Sequence, residues 1–123
     1  MKILLAEDDH HVSVIMQICL QKIGGHDVTL VEDGEAAVQK TSQDQYDLII
    51  LDGMMPKKSG LQAAREIKAS GNTTPIIFLS AKSDEKEYLV IGTGFIPKPF
   101  EPTQICARID EILRDARDKG SLQ

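Results

Sequence analysis

Residues 47–56 read DLIILDGMMP, a run of large apolar residues that ends in one carboxylate, Asp52, and is followed by Gly53 and then Pro56. A continuous apolar run of this length, closed by turn residues, is typical of a strand that is buried on both faces, as in a parallel sheet. Asp52 is then at the carboxyl end of a central strand, where open α/β sheets place their ligand sites. On this stretch alone, a simple capping role for Asp52 in the turn toward Pro56 stays open.

Strand and helix patterns alternate five times along the 123 residues. Short apolar runs predict strands, and apolar residues at helical spacing predict helices between them. The predicted strands are 2–6, 27–32, 47–52, 75–80 and 92–97, and the predicted helices are 11–23, 33–42, 59–70, a short one capped by Ser83, and a last one from Pro102. This alternation predicts one α/β domain, a parallel sheet with helices on both faces. We expect the domain to span residues 1–118, with a fraying polar tail at 119–123, and Pro97 to lie in an edge strand because it lacks an N–H group.

The composition excludes several classes of function. The chain has 19 acidic and 14 basic residues, a net charge of −5, which argues against direct nucleic-acid binding because that needs a basic face. The N-terminus turns acidic too early for a signal peptide, and no apolar run has membrane-spanning length. Cys19 and Cys106 lie in apolar helical patterns, so we expect buried, reduced thiols. The sequence thus predicts a soluble cytoplasmic domain that does not insert into membranes.

Three acidic residues leave two of the predicted strands. Glu7 and Asp8 follow the first strand, and Asp52 ends the third. If these strands are neighbours where the strand order reverses, the three carboxylates converge, and their repulsion requires a shared proton or a cation. Carboxylate oxygens in a hydrated cleft suit Mg²⁺. Each acid taken alone is also explained by an ordinary helix cap.

A hydroxyl and an ammonium end the last two strands. Ser80 ends the fourth strand, and Lys98, held between Pro97 and Pro99, ends the fifth. A hydroxyl and an ammonium that point into an acidic crevice are what a phosphoryl group needs for binding.

With these residues the sequence resembles a response-regulator receiver domain over essentially its whole length. Four stretches carry the resemblance, namely LAEDD at 5–9, LDGMMP at 51–56 with Gly60 after it, Ser80-Ala81, and Lys98-Pro99-Phe100. The resemblance implies a flavodoxin-like doubly wound fold with five parallel strands in the order 2-1-3-4-5. It implies that Asp52 is the phosphoacceptor, and that Mg²⁺ is held by Glu7, Asp8, Asp52 and the backbone carbonyl of Met54. Lys98 pairs with the phosphoryl group, Ser80 is the switch hydroxyl and Phe95 the switch aromatic, and the Lys98–Pro99 bond is cis. Asp9 lies one place beyond the acidic pair of the family, so we expect a helix cap there.

A receiver takes a phosphoryl group from the phosphohistidine of a sensor histidine kinase or a histidine phosphotransfer protein. The implied function is therefore that of a two-component phosphorelay receiver. It would catalyse only its own phosphorylation and dephosphorylation, and phosphorylation would switch a surface that binds a downstream protein partner. One departure from the family is that the segment from Ser80 to Phe95 is shorter by about one helical turn.

Other interpretations stay open at this point. A haloacid-dehalogenase-type phosphohydrolase also uses an aspartate at a strand end, but it needs a second acid two residues later, where this chain has Met54. A flavodoxin-like cofactor binder needs a phosphate loop after the first strand, and Glu7 and Asp8 would repel a phosphate there. A receiver-like interaction module that is never phosphorylated is the third alternative.

Overall fold

Five parallel strands form one sheet in the order β2-β1-β3-β4-β5 in the computed structural model, which describes residues 1–119. The strands are β1 (Lys2–Ala6), β2 (Asp27–Val31), β3 (Leu48–Asp52), β4 (Ile76–Ala81) and β5 (Gly94–Lys98). The predicted fold class and strand order are confirmed. Of the predicted polar tail, residues 120–123 lie outside the described residues.

Five helices connect and cover the strands. They are α1 (His10–Gln17), which continues as a π-helix (Ile18–Ile23), α2 (Gly34–Gln43), α3 (Gly60–Ala69), α4 (Glu85–Leu89) and α5 (Ile105–Asp118); short 3-10 turns precede α4 (Lys82–Asp84) and α5 (Pro102–Gln104). Among residues 1–119, no helix combines the length and the apolar character that crossing a membrane requires.

The central strands are buried on both faces, as their apolar runs predict. Every residue of β3 is buried. Successive residues of β1 alternate between two cores, since Ile3 and Leu5 pack with residues of α1 and α5, whereas Leu4 and Ala6 pack with residues of α2 and α3. Burial of apolar surface on both faces stabilises the sheet through the hydrophobic effect. The carboxyl ends of the strands therefore project from a sheet that is packed on both faces.

The first helix departs from its predicted form. Apolar spacing predicts one α-helix over 11–23, but the segment Ile18–Ile23 is π-helical and ends where the Gly24 N–H donates to the Cys19 carbonyl oxygen at 3.0 Å. The wider turn keeps Cys19 buried and turns Ile23 toward solvent, where it is 66% exposed. A 3.6-residue period predicts that Ile23 lies on the buried side of the helix. That prediction is wrong because the chain is π-helical from Ile18 onward.

Of the helix caps predicted at Asp9 and Ser83, the first is confirmed and the second is wrong. The Asp9 side chain accepts from the N–H groups of His11 and Val12, and that of Ser59 accepts from Gln62. Ser83 is not a cap, because it lies inside the 3-10 turn, and α4 begins only at Glu85. The predicted edge position of Pro97 is confirmed, since β5 lies beside β4 at the end of the strand order among residues 1–119.

Candidate functional site

Three carboxylates meet at the carboxyl edge of the sheet. Parallel pairing of β1 with β3 sets Ala6 beside Leu51, so the residues that follow leave the sheet together. Glu7, Asp8 and Asp52 each offer a carboxylate oxygen, and these oxygens lie within 4.8 Å of one another. Glu7 and Asp52 are buried, at 1% and 5% exposure, while Asp8 is open to solvent. The structure thus brings together the three acids that the sequence predicted to converge.

Lys98 enters the same cluster from β5. Its Nζ lies 3.0 Å from Glu7 Oε1 and donates to Asp52 Oδ1 at 3.1 Å. The contact with Glu7 lacks hydrogen-bond geometry, so Oε1 has no hydrogen-bond partner among the described residues although it is buried. Burial lowers the pKa of Lys98, but the contacts with Glu7 and Asp52 outweigh it, and the pKa is raised overall. The ammonium therefore stays charged at neutral pH.

The burial and the negative charge of this cluster disfavour the ionised form of Glu7. Burial and the neighbouring Asp52 carboxylate raise the pKa of Glu7 from 4.5 to about 7, against the lowering effects of the Asp9 N–H and of Lys98. The Asp9 N–H donates to the other oxygen, Oε2, at 3.1 Å. Because the charge of Lys98 does not offset burial and the nearby Asp52 carboxylate, the raised pKa places the protonation of Glu7 near neutral pH.

The donor set fits Mg²⁺. All the side-chain ligands are carboxylate oxygens, one of which, Glu7 Oε1, is buried and unsatisfied, and Asp8 leaves the cluster open to water. Mg²⁺ prefers oxygen ligands and retains several waters, as an open cluster of this kind allows.

Ser80 lies at the end of β4 beside these acids. It is 3% exposed, and its hydroxyl donates to Asp84 Oδ2 at 3.0 Å. Asp84 comes from the 3-10 turn before α4. The hydroxyl is therefore engaged with Asp84, in a charge-assisted hydrogen bond.

An open cavity of about 340 Å³ lies over the cluster. Its walls come from the carboxyl ends of β3, β4 and β5 and from the segments that follow β1, β3 and β4. It is lined by Asp8, Asp9, Asp52, Met54, Ser80, Ala81, Asp84 and Lys98. The Met54 side chain is 76% exposed at its rim, and the Met54 N–H lies 3.5 Å from Asp52 Oδ1. Gly60 packs directly on the Asp52 carbonyl, where a Cβ would overlap it. The cavity is large enough for a phosphoryl group and its waters.

The predicted cis bond between Lys98 and Pro99 is confirmed. Phe95 lies behind the site in β5, 2% exposed, and its ring is 6.0 Å from that of Tyr88.

The fold and this site define a class of protein, the receivers of two-component signalling. The response regulator receiver domain family matches residues 3–110, and the chain belongs to it. It is 37% identical to the transcriptional regulatory protein RprY of Bacteroides fragilis over 123 residues, 97% of this chain and 52% of RprY. The chain spans about half the length of the curated relatives it matches.

Two solved structures show the same fold. The receiver domain of the Francisella response regulator 1452 has a TM-score of 0.83 at 27% identity, covering 94% of this chain and 98% of that one. The receiver domain of the sensor histidine kinase PA1611 from Pseudomonas aeruginosa has a TM-score of 0.80 at 33% identity, covering 89% of this chain and 94% of that one. The latter structure has a magnesium ion coordinated in its active-site cleft.

Sequence reasoning missed two residues of the site, Asp84 and Tyr88. The sequence signals existed, since Asp84 stands four residues after Ser80 and Tyr88 is the aromatic residue of the short α4. Both lie between Ser80 and Phe95, in the segment that is shorter by about one helical turn than the family pattern. The family pattern therefore did not indicate the conformation of this segment.

Proposed function

We propose that Asp52 accepts a phosphoryl group from the phosphohistidine of a sensor histidine kinase or a histidine phosphotransfer protein. The observation that carries this proposal is the position of the Asp52 carboxylate at the floor of an open cavity, 3.1 Å from the Lys98 ammonium and within 4.8 Å of the oxygens of Glu7 and Asp8. Family membership supports the same role. The solvent-open cavity admits a donor side chain.

In the proposed transfer, a carboxylate oxygen of Asp52 attacks phosphorus while the bond from phosphorus to the histidine nitrogen breaks, and that nitrogen keeps the electron pair and gains a proton. Lys98, which already contacts Asp52 and Glu7, turns its ammonium to the transferred oxygens. Glu7, Asp8, Asp52 and the Met54 carbonyl would hold Mg²⁺, which would supply further positive charge to the site. The chain would catalyse only its own phosphorylation and dephosphorylation.

Ser80 connects the acyl phosphate to the rest of the domain. Its hydroxyl donates to Asp84 in the unphosphorylated chain and would donate instead to a phosphoryl oxygen. This exchange of acceptors would move the 3-10 turn that carries Asp84 and alter the outer surface near α4 and Phe95. A downstream protein partner would bind that altered surface.

Labelling with acetyl phosphate tests the proposal. In the presence of Mg²⁺, the protein should gain one phosphoryl group that is lost in mild alkali, as an acyl phosphate is, and Asp52→Asn should not be labelled. Asp47→Asn is the matched control. Asp47 is exposed and directly precedes the amino end of β3, whereas Asp52 is at its carboxyl end. Its labelling should equal that of the wild type.

Three results would contradict the proposal. Labelling that persists in Asp52→Asn would place the acceptor elsewhere, and labelling that needs no divalent ion would remove the role of Mg²⁺. A wild-type chain that no phosphodonor labels would favour the interaction module that is never phosphorylated.

A further inference from the structure

Tyr88 is the one buried residue between positions 82 and 91. Its side chain is 8% exposed, and its ring lies between two others, 4.7 Å from Phe78 in β4 and 6.0 Å from Phe95 in β5. The five residues of α4 are therefore anchored to the sheet through one side chain.

The hydroxyl of Tyr88 reaches the space behind the phosphorylation site. A Cβ on Gly53 would lie 2.6 Å from Tyr88 Oη and 2.5 Å from Ser80 Oγ, so both hydroxyls fill the niche that the missing side chain leaves. Gly53 directly follows Asp52, and Gly53 is buried. The niche therefore connects Asp52, Ser80 and α4 within a few ångströms.

The electrostatic surroundings keep this hydroxyl protonated. Burial raises the pKa of Tyr88, and the charges of Asp84, Glu87 and Asp52 raise it further, against a lowering effect of its polar contact with Ser80. The protonated hydroxyl of Tyr88 therefore lies beside Ser80 in the niche at Gly53, while the Ser80 hydroxyl donates to Asp84.

We propose that Tyr88 is a positioning residue of the switch, which holds Ser80 toward Asp84 in the unphosphorylated chain and moves with α4 when Ser80 turns to the phosphoryl group. This inference rests on the proposed phosphorylation of Asp52. Phe95 is already buried, and the space behind Ser80 is occupied by Tyr88, so the ring that responds first to Ser80 is that of Tyr88. Phe95 follows through its stacking contact.

The aromatic composition offers a direct measurement. The chain has two tyrosines, Tyr46 and Tyr88, and no tryptophan. Tyr46 lies near the amino end of β1, with its ring 5.0 Å from Lys2 Nζ. Tyr46→Phe should therefore preserve the fold and leave Tyr88 as the sole tyrosine fluorophore. Beryllofluoride with Mg²⁺, which mimics an aspartyl phosphate, should then change the tyrosine emission of Tyr46→Phe. The same addition should leave the emission of the double variant Tyr46→Phe/Asp52→Asn unchanged.

A second variant measures the energetic contribution of the hydroxyl. Tyr88→Phe keeps the stacked ring but loses the hydroxyl that lies beside Ser80. In the proposed switch, the contact of this hydroxyl with Ser80 stabilises only the unphosphorylated state. We expect it to bind beryllofluoride about three- to tenfold more tightly than the wild type, because a hydrogen-bond-sized contact no longer opposes binding. Tyr46→Phe, the matched control, should bind it with wild-type affinity. A merely structural role of Tyr88 would not tighten binding.

The outcomes separate this inference from the function on which it rests. If wild-type protein binds beryllofluoride but Tyr88 emission stays constant, or if Tyr88→Phe binds it no more tightly, Tyr88 does not position the switch. If the wild type binds no beryllofluoride and acetyl phosphate does not label it, the proposed function itself is refuted, and the role of Tyr88 with it.

Discussion

Substitution of Glu7 by glutamine should stabilise the protein at alkaline pH when divalent ions are absent. Glu7 is 1% exposed, and its pKa is raised from 4.5 to about 7 by burial and by Asp52. A carboxyl whose pKa is higher in the folded than in the unfolded state binds protons more tightly when folded, so its contribution to stability is complete below about pH 4.5 and is lost as the pH rises toward 7. Glutamine imitates the protonated form and avoids this loss.

The magnitude follows from the pKa values. At about 1.4 kcal/mol per pH unit, the interval between 4.5 and about 7 corresponds to roughly 3 kcal/mol, an upper value because Glu7 and Asp52 titrate together. At pH 8, Glu7→Gln should therefore unfold at a urea concentration roughly 1–2 M higher than the wild type. At pH 4.5 the two proteins should be nearly equal.

Urea unfolding in EDTA at the two pH values is the appropriate assay. Glu32→Gln is the matched control, because Glu32 follows β2 as Glu7 follows β1 but is exposed. It should change stability little at either pH. A raised pKa of Glu7 is refuted if the stability that Glu7→Gln gains over the wild type between pH 4.5 and pH 8 is no larger than the gain of Glu32→Gln.

Two further results are expected. Asp8→Asn should raise the melting temperature without Mg²⁺ by roughly 2–4 °C, because it relieves repulsion in the acidic cluster, and should weaken Mg²⁺ binding measured by calorimetry; a lower melting temperature without Mg²⁺ would instead support a capping role for Asp8. Hydrogen exchange with and without beryllofluoride should change most over residues 81–97 and little in α1, because Ser80 exchanges acceptors next to α4; changes concentrated at residues 11–23 would contradict this route.

The sheet and the acidic cluster could be predicted because they depend on short-range patterns. The apolar run before Asp52 has no exposed face, so its burial in the centre of a parallel sheet follows from composition alone. Once the strand order is known, the carboxyl ends of β1 and β3 must bring Glu7, Asp8 and Asp52 together.

The parts that could not be predicted depend on contacts between distant residues. Nothing in a 3.6-residue period indicates that α1 becomes π-helical at Ile18. The bond from Ser80 to Asp84 and the entry of Tyr88 beside Gly53 require the shortened segment to be placed in three dimensions. Ser83 is a good capping residue by type, but it lies inside the 3-10 turn Lys82–Asp84. This turn places Asp84 where it accepts from Ser80.

The single anchor of α4 has a consequence for the evolution of binding specificity. Apart from Tyr88, the residues from 82 to 91 are half-buried or exposed, so the stability of the domain constrains their identity weakly. Substitutions at such positions usually change stability by no more than about 0.5 kcal/mol. Related proteins could therefore diverge in the partner they recognise by changing this surface, and inherit the same phosphorylation chemistry without having to repack the core beneath it.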